Sequence, residues 1–393
     1  MHKFIYVLIG TLTVFSFWYA GRILQRNGIL FFRRKYWKVA SLPIFFFCVF
    51  YGLRFGRLVD YNVYAERYDI LGRNTIYGDY ELLFRYAVHY MSSLHIPYWI
   101  FILLCSFSFV LALFKYLKLE RHKMAMPFIF MLAFFTSGGV EQLIRWYLAA
   151  VFFLLALSYL RDKKFYFFIV LSVISCFFHF GFIILVPFSL LLLYDKSIMS
   201  SKICLAIFLF SIFMGTTQML IPYLEYLNFM SINDKTESYV EGMERIVSGE
   251  FHAGIQEKKL IGNIRDAFMY SFPLLIGHRL IEKKLISHSL YNIYKIAIIV
   301  YPIFVKVEIL DRYAQVLMIM SVPLICGNAF SYLFRHFSEQ KVLEQAVGII
   351  SLLGFLQTFF WKNLLSRDEW FKMLFIWDAE GRETLPINYF INF

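Results

Sequence analysis

Ile96-Pro-Tyr-Trp-Ile-Phe-Ile-Leu-Leu-Cys-Ser-Phe-Ser-Phe-Val-Leu-Ala-Leu-Phe114 holds no charged residue, and Lys115 follows it at once. A helix of about 20 mostly apolar residues crosses the hydrocarbon core of a bilayer, so this stretch reads as a membrane span. Working outward, similar runs bounded by charge, Gly or Pro recur along the chain. They predict spans at 4–20, 39–53, 96–116, 124–137, 143–160, 165–179, 181–194, 203–222, 266–278, 290–306, 313–333 and 343–361. Of the 393 residues, 60% are hydrophobic, 21% aromatic and 17% charged, with mean hydropathy +0.62. Soluble domains carry about 25% charged residues and about 45–50% apolar ones. The expected fold is an all-α polytopic integral membrane protein. It has about 12 transmembrane helices in a single domain, residues 1–393. A soluble enzyme, a secreted disulfide scaffold, a disordered chain and a DNA-binding domain are excluded.

Residues 165–194 are too long for one upright span, and His179 and Gly181 interrupt them, so two shorter segments turning at His179 are expected. No small-residue cleavage site follows the first apolar run, which therefore reads as a retained span. The five cysteines lie inside apolar segments without CxxC or Cys/His spacing, so neither a disulfide frame nor a metal site is expected. No P-loop or other cofactor motif is present.

The net charge of +12 reports topology rather than nucleic-acid binding. With the loop holding Arg22, Arg26, Arg33, Arg34, Lys35 and Lys38 placed inside, alternate short loops hold twenty of the 39 Lys and Arg. The acids there are few: Glu120, Asp162, Asp195, Glu282, Glu339 and, just beyond, Glu344. That asymmetry is the positive-inside pattern, and it sends both termini outward. The larger pieces are then external: loops 54–95 and 223–265, and the tail 362–393.

Four charged clusters fall at the outer ends of predicted spans. They are Arg54-Phe-Gly-Arg57-Leu-Val-Asp60-Tyr61-Asn-Val-Tyr64, Glu141-Gln142-Leu-Ile-Arg145-Trp146, His179 after Phe178, and Lys306-Val-Glu308-Ile-Leu-Asp311-Arg312-Tyr313. Ionisable groups at membrane depth are functional candidates by default. Each has a structural rival: Arg54 as a snorkelling arginine, His179 as a satisfied interior histidine, and Arg312 as part of an interfacial ion pair. Guanidinium groups bind phosphate bidentately and stay charged when desolvated. Several of them on one membrane face suit a lipid-linked diphosphate, and neighbouring carboxylates or a histidine suit general-base chemistry on a hydroxyl.

The order of these motifs resembles the EpsG-like family of Wzy-type polysaccharide polymerases. The likeness runs through Arg54, Gly56, Asp60, Tyr61 and Tyr64, then Tyr80-Glu81-Leu82-Leu83-Phe84 and Ile144-Arg145-Trp146-Tyr147-Leu148-Ala149. It continues through Lys163-Lys164, Phe178-His179, Arg312-Tyr313 and Leu385-Pro386-Ile387-Asn388-Tyr389. One departure is Trp146, where the family often has Gln.

The resemblance implies a nucleotide-sugar-independent glycosyltransferase in a bacterial inner membrane. It would act on the periplasmic face on undecaprenyl-diphosphate-linked oligosaccharides, as both donor and acceptor, in O-antigen or exopolysaccharide synthesis. A chain-length regulator and a flippase of the same pathway are implied partners, with no cofactor. The expected diphosphate- and substrate-binding residues are Arg54, Arg57, Arg145, Arg312, Tyr61 and Tyr64. The candidate bases are Asp60, Glu81 and His179. A flippase or exporter of lipid-linked oligosaccharide, and an O-antigen ligase, are the alternatives; composition does not separate ligase from polymerase.

Overall fold

The computed structural model describes all residues except 27–32, 58, 74–79, 119–121, 142–143, 218–259, 306–307, 368–369 and 380–393. Expectations for most of the loop 223–265 and for the Leu385–Tyr389 motif lie outside the described residues. Fourteen α-helices are described: α1 (His2–Arg26), α2 (Arg33–Phe47), α3 (Val59–Arg73), α4 (Leu82–Ser93), α5 (Tyr98–Leu117), α6 (Met126–Thr136), α7 (Ile144–Arg161), α8 (Phe165–Phe178), α9 (Phe182–Ser189), α10 (Ser201–Thr217), α11 (Leu260–Glu282), α12 (His288–Phe304), α13 (Glu308–Arg335) and α14 (Val342–Phe355). The chain is a helical membrane protein. In lipid every backbone amide and carbonyl needs a partner, which helices supply internally.

Each predicted span falls on helix in its described residues. Six helical stretches are long and apolar enough to cross a bilayer: His2–Arg26, Tyr98–Leu117, Lys123–Glu141, Ile144–Arg161, Leu310–Arg335 and Val342–Leu365. That is fewer than the twelve expected. Helices α2 and α12 are 15 and 17 residues long, α8 to α10 are also short, and α11 carries Arg265, Asp266 and Arg279. The run 165–194 does break at His179, whose extended backbone ends α8 before α9 starts at Phe182.

Helices α6 and α13 form the centre. Helix α1 packs on α6, α6 on α13, and α13 on α12, while α10 and α14 flank α11. Close approach explains this core. A Cβ on Gly21 would come within 2.6 Å of Pro127 backbone, and one on Gly327 within 2.9 Å of Ile129 N. Small residues let backbones touch where lipid provides no hydrophobic drive. Phe17, Phe114 and Phe134 fill the space between α1, α5 and α6. Exposed Phe165, Tyr166, Ile169 and Phe210 present an apolar exterior on α8 and α10.

The described residues of 54–95 form a cap. Helices α3 and α4 pack together over a second, smaller core of Tyr61, Tyr68, Phe84, Tyr98 and Phe101. The tail folds back onto the cap's entry. Phe55 N donates to Leu374 O at 3.1 Å and Ile376 N to Leu53 O at 2.9 Å, with an antiparallel bridge between Arg54 and Phe375. His2 on α1 meets Asp378 at 3.0 Å. The tail is thereby stapled to the second and first helices together. Ile376→Pro removes one staple donor and is expected to cost about 1 kcal/mol locally, read as several-fold faster proteolysis of the tail with the bundle intact.

Candidate functional site

Arg145 opens α7 and meets Glu81, the residue just before α4. Arg145 Nη1 donates to Glu81 Oε2 at 2.8 Å, and Nε donates to the Tyr64 hydroxyl of α3. The guanidinium also lies 4.7 Å from the Tyr80 ring centroid, and Arg67 donates to Tyr80 Oη at 2.6 Å. The Arg145 and Glu81 side chains are 17% and 10% exposed, so the pair is oriented from several sides with only its edge at the surface. Burial pushes the Tyr64 hydroxyl up to about 12; Arg145 opposes that and Asp60 adds to it. Tyr64 is therefore a hydroxyl donor at neutral pH rather than a base. Asp60 stands half-buried in the first turn of α3, within electrostatic reach of Tyr64.

One turn earlier, Glu141 faces the other way, into a cavity of about 770 Å³. Its cationic lining comes from Lys362, Arg367 and Lys372, and its apolar lining includes Phe134, Phe135 and Phe359. Arg367 Nη1 donates to Tyr6 Oη at 2.6 Å and approaches Glu141 Oε2 at 3.4 Å. Both π-helical segments border this cavity: Cys48–Gly52 supplies Phe50 and Tyr51, and Leu356–Leu365 supplies Phe359, Lys362, Asn363 and Leu364. Such wide turns concentrate at functional sites. Here they carry the chain from span into cavity wall.

Arg54 and Arg57, expected to bind the diphosphate, are 1% and 0% exposed; the tail covers Arg57, and Tyr51, Tyr61 and Tyr98 surround Arg54. Arg57 Nε donates to Leu374 O at 2.7 Å, and Nη1 donates to Phe50 O and Glu141 Oε1, each at 3.0 Å. Its guanidinium carbon lies 4.2 Å from the Phe375 ring centroid. Arg54 donates to Tyr51 O. These arginines tie the cap, the tail and Glu141 together behind the cavity wall, where a ligand does not reach them in this arrangement. Tyr61 is likewise buried, packed edge-on against Tyr98 at 5.1 Å.

His179 lies in the break between α8 and α9, where its Nδ1 accepts from Gly181 N at 3.2 Å. Trp146 is T-shaped against both the His179 ring, at 4.8 Å, and the Tyr313 ring, at 5.1 Å. Trp146 thus packs α7 against the α8–α9 break and the first turns of α13, filling a place that an amide would leave open. Arg312, beside Tyr313, is half-buried there. Asp311 accepts from Gln315 at 2.6 Å, and the Tyr147 hydroxyl donates to Gln315 at 3.4 Å.

The four clusters therefore converge on one end of the bundle through Arg57–Glu141, Arg145–Glu81 and Trp146–His179–Tyr313 contacts. Sequence reading left out Glu141 as a site residue, along with Arg367, Lys362 and Lys372. The only local signal was three cations following the last span. Residues 37–375 match the model of the EpsG family. The chain belongs to the EpsG family. This is a family of Wzy-like polysaccharide polymerases, associated with glycosyltransferase-type activity. The EpsG match ends at Phe375, so it takes in the Arg54–Phe375 bridge and the cavity cations. No curated protein and no solved structure matches the chain. Chemically, this EpsG end offers a cation-rich cavity with an apolar side and, one turn away, an arginine held by a carboxylate and a tyrosine. Among the described residues no group of three or more potential metal ligands occurs.

Proposed function

We propose that this protein joins oligosaccharide repeat units carried on undecaprenyl diphosphate, at the outer face of a bacterial inner membrane. The helices at the remaining six predicted stretches complete about twelve crossings, with both termini outside. The observation that carries the reading is the cavity beside Glu141. Three cations and several phenylalanines line it together, which suits a diphosphate whose lipid tail stays in the bilayer. The external position of both clusters follows from the basic short loops at the opposite end.

In this mechanism the acceptor sugar hydroxyl attacks the anomeric carbon of the donor's first sugar. The bond from that carbon to the diphosphate oxygen breaks, and undecaprenyl diphosphate leaves with the electron pair. Arg145 stabilises the developing phosphate charge, as a preorganised donor does at an oxyanion, while Arg367, Lys362 and Lys372 in the cavity hold the diphosphate of the second lipid-linked unit. Asp60 takes the hydroxyl proton. Glu81 positions Arg145, and Tyr64 donates its hydroxyl hydrogen to a sugar oxygen. The loop 223–265 reads the glycan, and a chain-length regulator of the same pathway limits the product.

Asp60→Asn is expected to lower polymer formation by about 100-fold, the scale of a lost general base. Glu81→Gln, which keeps a hydrogen bond to Arg145, is expected to cost about tenfold. Turnover of a defined lipid-linked unit by purified variants separates the two. Near-wild-type rates in both would reject the carboxylates and leave His179 as the base.

A further inference from the structure

At the other end of α1, about 24 Å along the helix from Tyr6, two cavities of about 470 Å³ each open. They share Met124, Ser331 and Arg335, and so form one trough in two parts. The first part is polar and basic, lined by Lys123, Lys283, Arg335 and His336 among others. The second is apolar, lined by Trp18, Pro127, Phe128, Phe334 and Leu352, with Arg22 joining Arg335 at its polar side. No Asp or Glu lines either part among the described residues.

The apolar part has a firm wall. Phe128 and Phe334 stack at 5.6 Å with 2° between their planes, and Trp18 meets Phe128 edge-on at 5.0 Å. Leu352 sits well inside α14, whereas Arg22, Lys283 and Arg335 mark helix ends. The trough therefore runs from the basic-loop end of the bundle towards bilayer depth.

Cations at headgroup level beside a groove descending into lipid are complementary to an anionic amphiphile. Guanidinium and ammonium groups bind phosphate oxygens by charge-assisted hydrogen bonds, and basic pockets between membrane helices hold acidic lipid headgroups. A free phosphate would match the cations and leave the groove empty. A phosphatidylcholine would bring its own positive charge to a cationic lining where Glu339, the acid behind it, already pairs with His336 at 3.1 Å. We infer that this trough binds an anionic glycerophospholipid, its phosphate on Arg335 and Lys283 and one acyl chain beside Phe128 and Phe334. The site is separate from the sugar-transfer cavity and does not depend on how that cavity is read.

The test is native mass spectrometry of the full-length protein in detergent, titrated separately with phosphatidylglycerol, cardiolipin and phosphatidylcholine. The wild type is expected to retain one acidic lipid and to bind phosphatidylcholine at least tenfold more weakly. Arg335→Gln with Lys283→Gln changes two exposed side chains, so the variant is expected to melt like the wild type. Its affinity for the acidic lipid should fall about tenfold or more. Phe334→Glu puts a charge into the groove and should lower affinity similarly with the cations in place. Inorganic phosphate and glycerol phosphate should fail to displace the lipid. Equal lipid retention by these variants, equal binding of phosphatidylcholine, or displacement by either soluble phosphate would overturn the inference.

Discussion

Arg145→Ala is expected to abolish polymer, lowering turnover by about 100- to 1,000-fold, while the protein still folds and reaches the membrane. The scale is that of removing one preorganised donor from a developing negative charge. Its cause is geometric. Glu81 and Tyr64 both hold the guanidinium, and Tyr80 lies against it, so Arg145 is set in place before any ligand arrives. The pair is mostly covered, so the change also leaves Glu81 short of its counter-charge and is expected to lower the melting temperature while the bundle still folds. Arg145→Lys keeps the charge without the fork and is expected to recover less than a tenth of the activity. The check is product yield per molecule of purified enzyme, beside its thermal melting curve. Long polymer from Arg145→Ala would remove Arg145 from the mechanism.

Arg57→Ala is expected to produce the reverse pattern, a folding defect. Breaking a buried ion pair from one side costs about 3–5 kcal/mol, because the partner stays buried without its counter-charge. The Arg57 and Glu141 side chains are 0% and 8% exposed. Arg367 remains near Glu141, which puts the expectation at the lower end, about 3 kcal/mol. Arg57 also holds Leu374 O and Phe50 O, so the tail should detach as well. Melting in detergent and limited proteolysis at the tail read the two effects separately. Arg57→Lys should restore part of the melting temperature. An Arg57→Ala protein with wild-type melting and a protected tail would contradict the structural role given to this arginine.

Much of this was legible one residue at a time. Hydropathy located the helices because a span must be apolar along its own length, and the charge-free Ile96–Phe114 run is the plainest case. His179 and Gly181 marked the α8–α9 break because both sit inside an otherwise unbroken apolar run. Arg145 stood out for a similar reason, as a charge inside the expected span 143–160 with Leu-Ile before it and an apolar stretch after it. The number of crossings was less legible, because α2 and α12 are short and α11 is charged inside.

What stayed hidden depends on pairs distant in the chain. Arg57 and Arg145 look equivalent in sequence, each a cation near a span end. Only the fold shows that Leu374, 317 residues away, covers the first, while the second keeps an edge at the surface. Arg367 was read as a tail residue because its carboxylate, Glu141, lies 226 positions upstream. No periodicity connects them. The π-helical turns that place Lys362 and Asn363 at the cavity have no hydrophobic signature either, since they sit at the end of an apolar run that reads as ordinary helix.

The central claim is that one polypeptide, given only lipid-diphosphate-linked repeat units, makes the glycosidic bond. The direct measurement is incubation of the purified, reconstituted protein with one chemically defined undecaprenyl-diphosphate-linked unit, followed by gel and mass analysis. The account predicts a ladder at one-repeat spacing, with release of undecaprenyl diphosphate and loss of both in Arg145→Ala. Movement of the lipid-linked unit between liposome leaflets with no ladder would contradict it, and would make the same arginine part of a transport path.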